Sequence, residues 1–484
     1  MRHHAASGPD KPAITIGDQV IGREEFEARC NRRARLLERH GVKRDDLVTI
    51  ALPNGLEFYE TAFAAWKLGA TPNPISSSLS DMELGAIVAV AQPRVIVGME
   101  PSRAPGFATL SSCPELANDL SADYVPSLIP RYWKAMTSGG STGRPKLIVD
   151  HMSGKWDPAE GGIAQQPGET VLNPGPLYHN GPFLGTMLGL FGGGHVVEML
   201  KFDPLRLLDL IERHRINWVL LVPTLMHRIA RLSDAERAAH DLSSLRMMLH
   251  SAAACAPWLK RFWIEWLGPE RVLEVYTGTE RQALVTITGA EWLAHPGSVG
   301  RVQPGAEIRI LDQFGNDVVP GDVGEIFLRP DSGRNTTYHY LGAEARAHGE
   351  WESLGDLGHW DAEGFLYLSD RRADLIIRGG ANIYPAEIEA ALDAHPSVAS
   401  SIVIGLPDED LGHVVHAIVQ PAAGARLAEG ELREFLQARL THYKIPRTIE
   451  FVDTPLRDDA GKARRSQLRD RRIAATDADQ ARKG

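Results

Sequence analysis

Apolar and polar positions alternate along the chain with two different periods, one helical and one extended. From residue 22 to residue 40 apolar side chains recur every three or four positions, which predicts an amphipathic helix. Residues 47–52 form a short apolar run that predicts a strand, and Ser80 with Glu83 forms a capping box before a helix over 81–92. Because helices and strands alternate at this spacing, we expect a parallel β-sheet covered by helices.

The pattern changes twice in the second half of the chain. Residues 295–345 are rich in glycine and short apolar runs, which predicts short antiparallel strands in a small barrel-like part. Beyond residue 370 a compact set of strands and helices occupies about 110 residues, which is enough for a separate domain. We therefore expect an α/β fold with a large N-terminal domain of helix-covered β-sheets, residues 1–370, and a small α+β C-terminal domain, residues 371–484. The charged tail from Arg469 is expected to fray.

Composition narrows the functional classes. The 484 residues are 43% hydrophobic and 24% charged, and the net charge of −10 argues against a broad surface for nucleic acid or anionic membrane. The three cysteines are far apart and predict neither a disulfide framework nor a structural zinc site. The chain has no apolar run long enough to span a membrane and no apolar segment near Met1, so a cytoplasmic enzyme or binding protein is expected.

The most distinctive polar stretch is a loop rich in glycine and hydroxyl groups at residues 137–146, between two short apolar runs. Glycine lets backbone N–H groups approach an anion, hydroxyl groups add donors and Lys146 adds a positive charge, so a polyphosphate is the expected ligand. The alternative is a plain hairpin rich in glycine and serine. The loop is not a P-loop of the NTPase kind, because Pro145 interrupts it, no Ser or Thr follows Lys146 and a strand comes next.

Three further segments place polar groups at turns. Residues 276–280 put an aromatic ring, a hydroxyl group and the carboxylate of Glu280 at a strand end, which suits a purine, a phosphate oxygen and a divalent cation. Asp356 and Arg371 suit the hydroxyl groups of a ribose, and Lys462 follows a glycine in a polar loop. Taken alone, each segment is more often an ordinary turn or a solvated surface residue.

Together these segments resemble the adenylate-forming superfamily of acyl-CoA synthetases, luciferases and peptide-synthetase adenylation domains, and acyl-CoA synthetases most of all. Their order along the chain is that of the family, and the resemblance spans almost the whole sequence. The matching stretches are residues 137–146, 276–280, 355–358, 370–371, 380–389, 443–446 and 461–462. Two positions depart from the family's pattern: Thr277 stands where glycine is usual, and Ala373 stands where the hinge residue is usually charged.

The resemblance implies roles for the matched residues. Lys462 would act in catalysis with Thr279, Glu280 and His179, and Glu280 would also hold magnesium. The residues implied in binding ATP or CoA are Thr137, Ser138, Gly139, Gly140, Ser141, Thr142, Gly143, Lys146, Ala252, Ala253, Tyr276, Thr277, Asp356, Arg371, Gly379 and Gly380. The C-terminal domain is implied to be a mobile lid that presents Lys462 and then rotates so that CoA can reach the adenylate.

The implied function is activation of a carboxylic acid by ATP and Mg²⁺ to an acyl-adenylate, followed by transfer of the acyl group to coenzyme A with release of AMP. Small residues in the implied acyl pocket predict room for a fatty, aromatic or steroid acid; they are Gly181, Gly185, Ala252, Ala253 and Gly278. The alternatives are transfer to a carrier-protein thiol or an amine, and a non-catalytic nucleotide-binding protein. We expect no nucleic-acid partner, and a homodimer is our hypothesis for the assembly.

Overall fold

A computed structural model describes residues 1–112, 117–139, 145–378, 381–408, 410–458 and 461–483. Within these residues the helices are α1 (Arg2–Ser7), α2 (Arg23–Arg39), α3 (Leu56–Lys67), α4 (Asp81–Ala91), α5 (Asn180–Phe191), α6 (Pro204–His214), α7 (Pro223–Ala230), α8 (Asp234–Ala238), α9 (Pro257–Leu267), α10 (Gly289–Ala294), α11 (Pro385–Asp393), α12 (Glu429–Gln437) and α13 (Arg465–Lys483).

The strands follow in chain order. Up to residue 371 they are β1 (Pro12–Ile16), β2 (Gln19–Gly22), β3 (Leu47–Ile50), β4 (Thr71–Pro74), β5 (Val95–Val97), β6 (Thr109–Leu110), β7 (Lys134–Gly139), β8 (Pro145–Asp150), β9 (Thr170–Asn173), β10 (His195–Glu198), β11 (Trp218–Leu221), β12 (Met247–His250), β13 (Val272–Tyr276), β14 (Val285–Thr288), β15 (Ser298–Val302), β16 (Ala306–Leu311), β17 (Gly324–Pro330), β18 (Tyr338–Leu341), β19 (Arg346–His348), β20 (Trp351–Ser353), β21 (Asp356–Trp360) and β22 (Leu366–Arg371). After it they are β23 (Ile376–Arg378), β24 (Ala381–Ile383), β25 (Val398–Asp408), β26 (Gly412–Pro421) and β27 (Thr448–Phe451).

The strands form four sheets. The largest has 15 strands in the order β19-β20-β17-β21-β22-β15-β14-β13-β12-β11-β9-β10-β1-β2, with β16 on β17. Its central strands, from β13 to β1, are parallel, and the antiparallel strands expected from residues 295–345 extend it at one side. A second parallel sheet has the order β4-β3-β5-β6, and β18-β8-β7 forms a small antiparallel sheet. The α/β fold with helix-covered sheets is therefore confirmed.

Local signals explain where several helices begin and end. Ser80 caps α4 as predicted: the backbone N–H of Glu83 donates to Ser80 Oγ at 3.3 Å, and the backbone N–H of Ser80 donates to Glu83 Oε2 at 3.1 Å. Helix α6 begins after Asp203, whose side chain accepts a hydrogen bond from the backbone N–H of Arg206. These helices pack apolar faces on the parallel sheets, whose strands are almost entirely buried.

The strands after β22 pair only with one another among the described residues, in the order β24-β23-β26-β25 with β27 on β26. Ile388 and Leu392 of α11 share a buried core with Val403 and Leu432. This separate sheet and core form a smaller C-terminal unit, as expected, and support the boundary that we propose after residue 370. From here we call residues 1–370 the large unit and residues 371–484 the small unit.

The tail differs from the expectation. It continues as helix α13 instead of fraying from Arg469, because ion pairs tie the start of this helix to the small unit. Arg465 Nη2 lies 2.7 Å from Glu389 Oε2, and Arg472 Nε lies 2.6 Å from Glu450 Oε2. Among the described residues, no helix combines the length and the apolar character that crossing a bilayer requires.

Candidate active site

The carboxyl edge of the parallel sheet collects the predicted segments. Strands β9, β12 and β13 run parallel, and their ends lead to the loops that carry His179, Ala252 with Ala253, and Glu280. In open parallel sheets ligands bind in the crevice at this edge, because loops from neighbouring strands meet there. Tertiary structure thus brings together groups that lie about a hundred positions apart in the chain.

The glycine-rich loop lies between two paired strands. Strands β7 and β8 are antiparallel, with Thr137 opposite Leu147 and Ser138 opposite Lys146, so the predicted strand–loop–strand arrangement is confirmed on either side. The side-chain oxygen of Thr137 accepts a hydrogen bond of 3.1 Å from Asn73 Nδ2. Gly140, Ser141, Thr142 and Gly143 lie outside the described residues, as do Gly379 and Gly380.

Lys146 and Glu280 meet at the mouth of this hairpin. Lys146 Nζ lies 3.7 Å from Glu280 Oε1 and 3.7 Å from the ring centroid of Tyr340. The Tyr340 hydroxyl donates to the same Glu280 oxygen at 2.6 Å. Partial burial lowers the pKa of Lys146, and the Glu280 carboxylate opposes this effect. Sequence reasoning missed Tyr340, because nothing in the pattern of residues 295–345 indicates that β18 pairs with β8.

Gly278, two positions before Glu280, leaves little space for a side chain. A Cβ atom there would lie 2.7 Å from Glu280 Oε2 and 2.6 Å from Leu354 Cδ1. A methyl group at Gly185 would likewise lie 2.8 Å from the ring of Trp218. An added side chain at either position would meet its neighbours, and the room for substrate stays a prediction from the sequence.

Asp356 and Arg371 lie directly opposite each other on β21 and β22. Arg371 Nε lies 3.3 Å from Asp356 Oδ1, and its side chain is 69% exposed. Asp356 Oδ2 accepts a 2.8 Å hydrogen bond from the Tyr276 hydroxyl. Burial raises the pKa of Tyr276, and the Asp356 charge raises it further, so the phenol stays protonated as a donor. The predicted pair is thus adjacent and held by the aromatic residue of the 276–280 segment.

Two neighbouring loops are shaped by their backbones. Ala252 has a φ of +76°, in the left-handed region that residues with a Cβ rarely occupy. Beside it, Ser251 Oγ donates to the carbonyl of Val275 at 2.6 Å. Thr277 donates its hydroxyl to the carbonyl of Ala283 at 2.7 Å, so this group stabilises the turn that carries Glu280, and Thr279 is half-buried in the same turn.

Lys462 reaches this cleft from the small unit. Gly461, with a φ of +74°, packs on α7, where an added Cβ would lie 2.7 Å from Thr224 Oγ1. Burial lowers the pKa of Lys462, with Asp458 opposing the shift and the Arg371 charge adding to it. The backbone N–H of Lys462 donates to Asp458 Oδ1 at 2.9 Å, which fixes the turn. The turn that carries Lys462 thus packs on the large unit, and the Lys462 charge acts on His179 at the edge where the polar groups gather.

His179 lies close enough to Lys462 for the lysine charge to affect its pKa. It begins α5, and its Nε2 atom is buried without a hydrogen-bond partner among the described groups. Burial lowers the pKa of His179 to about 3, and the charge of Lys462 adds to this effect. The imidazole is therefore neutral at physiological pH and free to accept or donate one hydrogen bond to a substrate carboxylate or adenylate.

A buried carboxyl group supports the loop before His179. Glu198, at the end of β10, accepts hydrogen bonds from Tyr59 at 2.5 Å, from Asn54 at 2.8 Å and from Asn173 at 2.9 Å. Asn54 also donates to the carbonyl of Gly175 at 2.8 Å. Burial raises the pKa of Glu198 to about 7. An acidic residue ending an otherwise apolar strand is the signal that sequence reasoning overlooked.

Glu280 would provide one carboxylate ligand for magnesium beside the phosphate-binding hairpin. Mg²⁺ keeps several waters and is held by one or two carboxylates together with substrate phosphates, so a single carboxylate beside a phosphate-binding hairpin matches its needs. Among the described residues no group of three or more His, Cys, Asp or Glu side chains forms a self-sufficient metal site.

Comparisons with known proteins agree with this geometry. The family model described as AMP-binding enzyme matches residues 1–129 and 135–341, and the model of the AMP-binding enzyme C-terminal domain matches residues 387–462. The chain is 30% identical to indoleacetate–CoA ligase of Aromatoleum aromaticum, over 96% of both chains. It is 32% identical to feruloyl-CoA synthase of an Amycolatopsis species, over 96% of this chain and 97% of that one.

The fold matches a solved enzyme over nearly its whole length. O-succinylbenzoate coenzyme A synthetase of Bacillus subtilis, in complex with ATP and a magnesium ion, superposes with a TM-score of 0.82 and 26% identity. The match covers 96% of this chain and 98% of that one. The same enzyme has been solved with an acyl-adenylate intermediate, also at a TM-score of 0.82 and covering 96% of this chain and 97% of that one.

Proposed function

This chain belongs to the AMP-binding enzyme family, and we propose that it is an AMP-forming ligase that joins a carboxylic acid to coenzyme A. The observation that carries the proposal is the approach of Lys462, from the small unit, to the cleft that holds His179 and Glu280. Relatives named as CoA ligases cover almost the whole chain and support the same activity.

The first half-reaction joins two anions, so its main demand is charge neutralisation. A carboxylate oxygen of the acid attacks the α-phosphorus of ATP, the bond to the bridging oxygen breaks, and pyrophosphate leaves with both electrons. Lys462 would lie between carboxylate and α-phosphate, and Lys146 with the hairpin around it would hold the departing phosphates. Glu280 would hold Mg²⁺, which supplies further positive charge to the phosphates when bound.

The nucleoside would be held by the Tyr276–Asp356–Arg371 group. The Asp356 carboxylate would accept hydrogen bonds from the ribose hydroxyls, and the exposed Arg371 guanidinium would lie beside them. Tyr276 and the loop with Ala252 and Ala253 would form the walls around the base. Aromatic rings suit this role because every purine presents a flat face for stacking.

In the second half-reaction the sulfur of coenzyme A attacks the acyl carbon of the adenylate. The bond to AMP breaks, a thioester forms and the thiol proton passes to solvent. AMP is a far better leaving group than oxide, which is why the acid is first adenylated. The role of Gly379 and Gly380 along the route of the pantetheine arm stays a proposal from the family resemblance, since both lie outside the described residues.

We propose an aromatic acid as the substrate. The relatives include proteins named for indoleacetate, feruloyl and 2-succinylbenzoate groups, each a carboxylic acid or acyl group with an aromatic ring. The neutral ring of His179, whose centroid lies 4.4 Å from that of the Tyr178 ring, would face the carboxyl end.

The test is a panel of aromatic, fatty and steroid acids incubated with ATP and Mg²⁺, with and without CoA, and with products identified by mass. An aryl-adenylate without CoA, and AMP plus an aryl thioester with it, is the expected result. An adenylate that passes only to a carrier-protein thiol or an amine would favour the alternative acceptor. Pyrophosphate from none of the acids, despite ATP binding, would leave only a nucleotide-binding protein. The homodimer and the cytoplasmic location stay predictions from the sequence.

A further inference from the structure

Arg231 of the large unit donates hydrogen bonds to the turn that follows helix α11 in the small unit. Its Nη1 atom donates to the carbonyl of Pro396 at 3.0 Å, and its Nη2 atom donates to the carbonyl of His395 at 3.0 Å. The carbonyls of Asp393 and Val398 lie 3.3 and 3.4 Å from the same Nη2 atom. One guanidinium thus meets four carbonyls that are more than 160 positions away in the chain.

The Asp393 carbonyl is the last of helix α11, and the other three carbonyls lie in the turn that follows, where that of His395 also accepts the backbone N–H of Val398 at 3.0 Å. The last carbonyls of a helix have no partner within it, and the carboxyl end of a helix carries partial negative charge. Helix α11 ends at Asp393, and the chain turns at once toward β25. A planar guanidinium holds five N–H donors in a fixed fork that can serve carbonyls spread over a turn, whereas the three donors of a lysine all lie on one nitrogen. We call this contact between Arg231 and residues 393–398 the α11 latch.

The large unit holds Arg231 in place for this contact. Arg231 Nε donates to His227 Nε2 at 3.2 Å, one turn earlier on α7. Burial lowers the pKa of His227 to about 4, so its ring is neutral and accepts this bond at physiological pH. The Trp258 ring lies 5.9 Å from the guanidinium carbon and 5.4 Å from the His227 ring, and limits the positions that the arginine can adopt.

The other end of the same helix meets the turn that carries Lys462. Thr224, in the first turn of α7, lies against Gly461, where even a methyl group would clash. Helix α7 therefore contacts the small unit at both ends: the α11 latch at Arg231 and the Lys462 turn at Thr224. An exposed ion pair adds to this interface, since Arg464 Nη1 lies 2.9 Å from Glu83 Oε1.

We infer that Arg231 is a positioning residue for adenylation: the α11 latch holds the small unit in the orientation that brings Lys462 to the cleft. The inference rests on the proposed function, in which Lys462 acts in the first half-reaction only. The latch lies away from the reacting groups, so it acts through Lys462 and through the orientation of the small unit. Opening it would favour the second half-reaction, in which the thiol must approach the acyl carbon.

The test separates the two half-reactions in the full-length protein. Arg231→Met keeps the length of the side chain but removes its donors, whereas Arg231→Lys keeps one charged donor. Acyl-adenylate formation is followed in a single turnover without CoA, and thioester formation is followed from supplied acyl-adenylate and CoA. The control is Arg228→Met, because Arg228 is exposed on the same helix and faces Phe202 of the large unit.

We expect Arg231→Met to slow adenylate formation about tenfold or more. A hydrogen bond to a charged group typically changes an equilibrium constant by about tenfold or more, and the variant loses at least two such bonds. Thioester formation should be unchanged or faster, Arg231→Lys should lie between, and Arg228→Met should match the wild type. A parallel fall in both half-reactions, or no change in either, overturns the inference. Wild-type protein that makes no adenylate from any acid overturns the proposed function instead.

Hydrogen–deuterium exchange gives a readout that does not depend on activity. In Arg231→Met, peptides covering residues 393–398 and peptides covering Lys462 should both exchange faster than in Arg228→Met. Faster exchange confined to residues 393–398 would indicate a local cap with no hold on the Lys462 turn, and would overturn the positioning role. Arg231 is exposed, so its substitution should leave the fold intact.

Discussion

The Tyr340 hydroxyl donates a 2.6 Å hydrogen bond to Oε1 of Glu280, although 60 positions separate the two residues in the chain. The bond fixes one oxygen of the carboxylate that we assign to magnesium. Groups that orient a metal ligand typically affect metal affinity about 10- to 100-fold when they are removed.

Tyr340→Phe is therefore expected to raise the magnesium concentration needed for half-maximal adenylate formation by about tenfold. Magnesium titration at saturating ATP measures this effect. Glu280→Ala is the variant that should lose most of the magnesium dependence of adenylate formation. Tyr338→Phe is the matched control, because Tyr338 lies two positions earlier on β18 and donates to Glu352 instead, at 2.9 Å. A titration curve for Tyr340→Phe that overlays the wild type would contradict the proposed role of the bond.

Lys462→Ala should abolish most adenylate formation and spare thioester formation from supplied acyl-adenylate. Loss of one preorganised charge contact in the transition state typically costs about 10²- to 10³-fold in rate. Pyrophosphate release in a single turnover measures the first step, and Arg469→Ala, an exposed basic residue of the same unit, is the control. Equal losses in both steps would show that the lysine is not confined to adenylation.

Glu198 predicts a pH-dependent contribution to stability. Its pKa is raised by burial from 4.5 to about 7, so the folded protein binds more protons than the unfolded chain between these values. Stability from this group is therefore present below about pH 4.5 and is lost as pH rises to about 7, in total about 3 kcal/mol.

Glu198→Gln mimics the neutral carboxyl group. Its free energy of unfolding should therefore not show the fall with rising pH that ionisation of Glu198 causes in the wild type. Relative to the wild type, the free energy of unfolding of Glu198→Gln should rise with pH by about 3 kcal/mol between pH 5 and pH 8. Urea titrations at several pH values measure the difference. Glu25→Gln, an exposed acid on α2, should show a constant difference instead. Parallel curves for Glu198→Gln and the wild type would refute the assignment.

Ala252→Gly should stabilise the protein by about 0.5–1 kcal/mol, because glycine adopts a φ of +76° without the clash of a Cβ atom. Ala253→Gly is the matched opposite case: it lies outside the positive-φ residues and should lose a similar amount through backbone entropy. The midpoint of thermal unfolding measures both. A decrease for both variants would mean that the strain at Ala252 is negligible.

Much of the local structure followed from the sequence. The apolar period predicted α2 to within one residue at each end, and the Ser80–Glu83 pair marked the start of α4. The order of short polar motifs was sufficient to predict the family and the reaction class. It also suggested the roles that we propose for Lys462 and Glu280. Such signals are readable because caps, turns and amphipathic faces depend on residues within about four positions of one another.

Other features depended on tertiary structure. Tyr340 reaches Glu280 only because β18 pairs with β8, Glu198 reaches Asn173 only because β10 pairs with β9, and Arg231 reaches the turn after α11 only when the two units are docked. The alternation of apolar residues in a strand specifies which face is buried, but not which strand is its neighbour. The sequence by itself therefore determined the elements and the chemistry of the motifs, and the order of strands and the docking of the two units decided which of those groups meet.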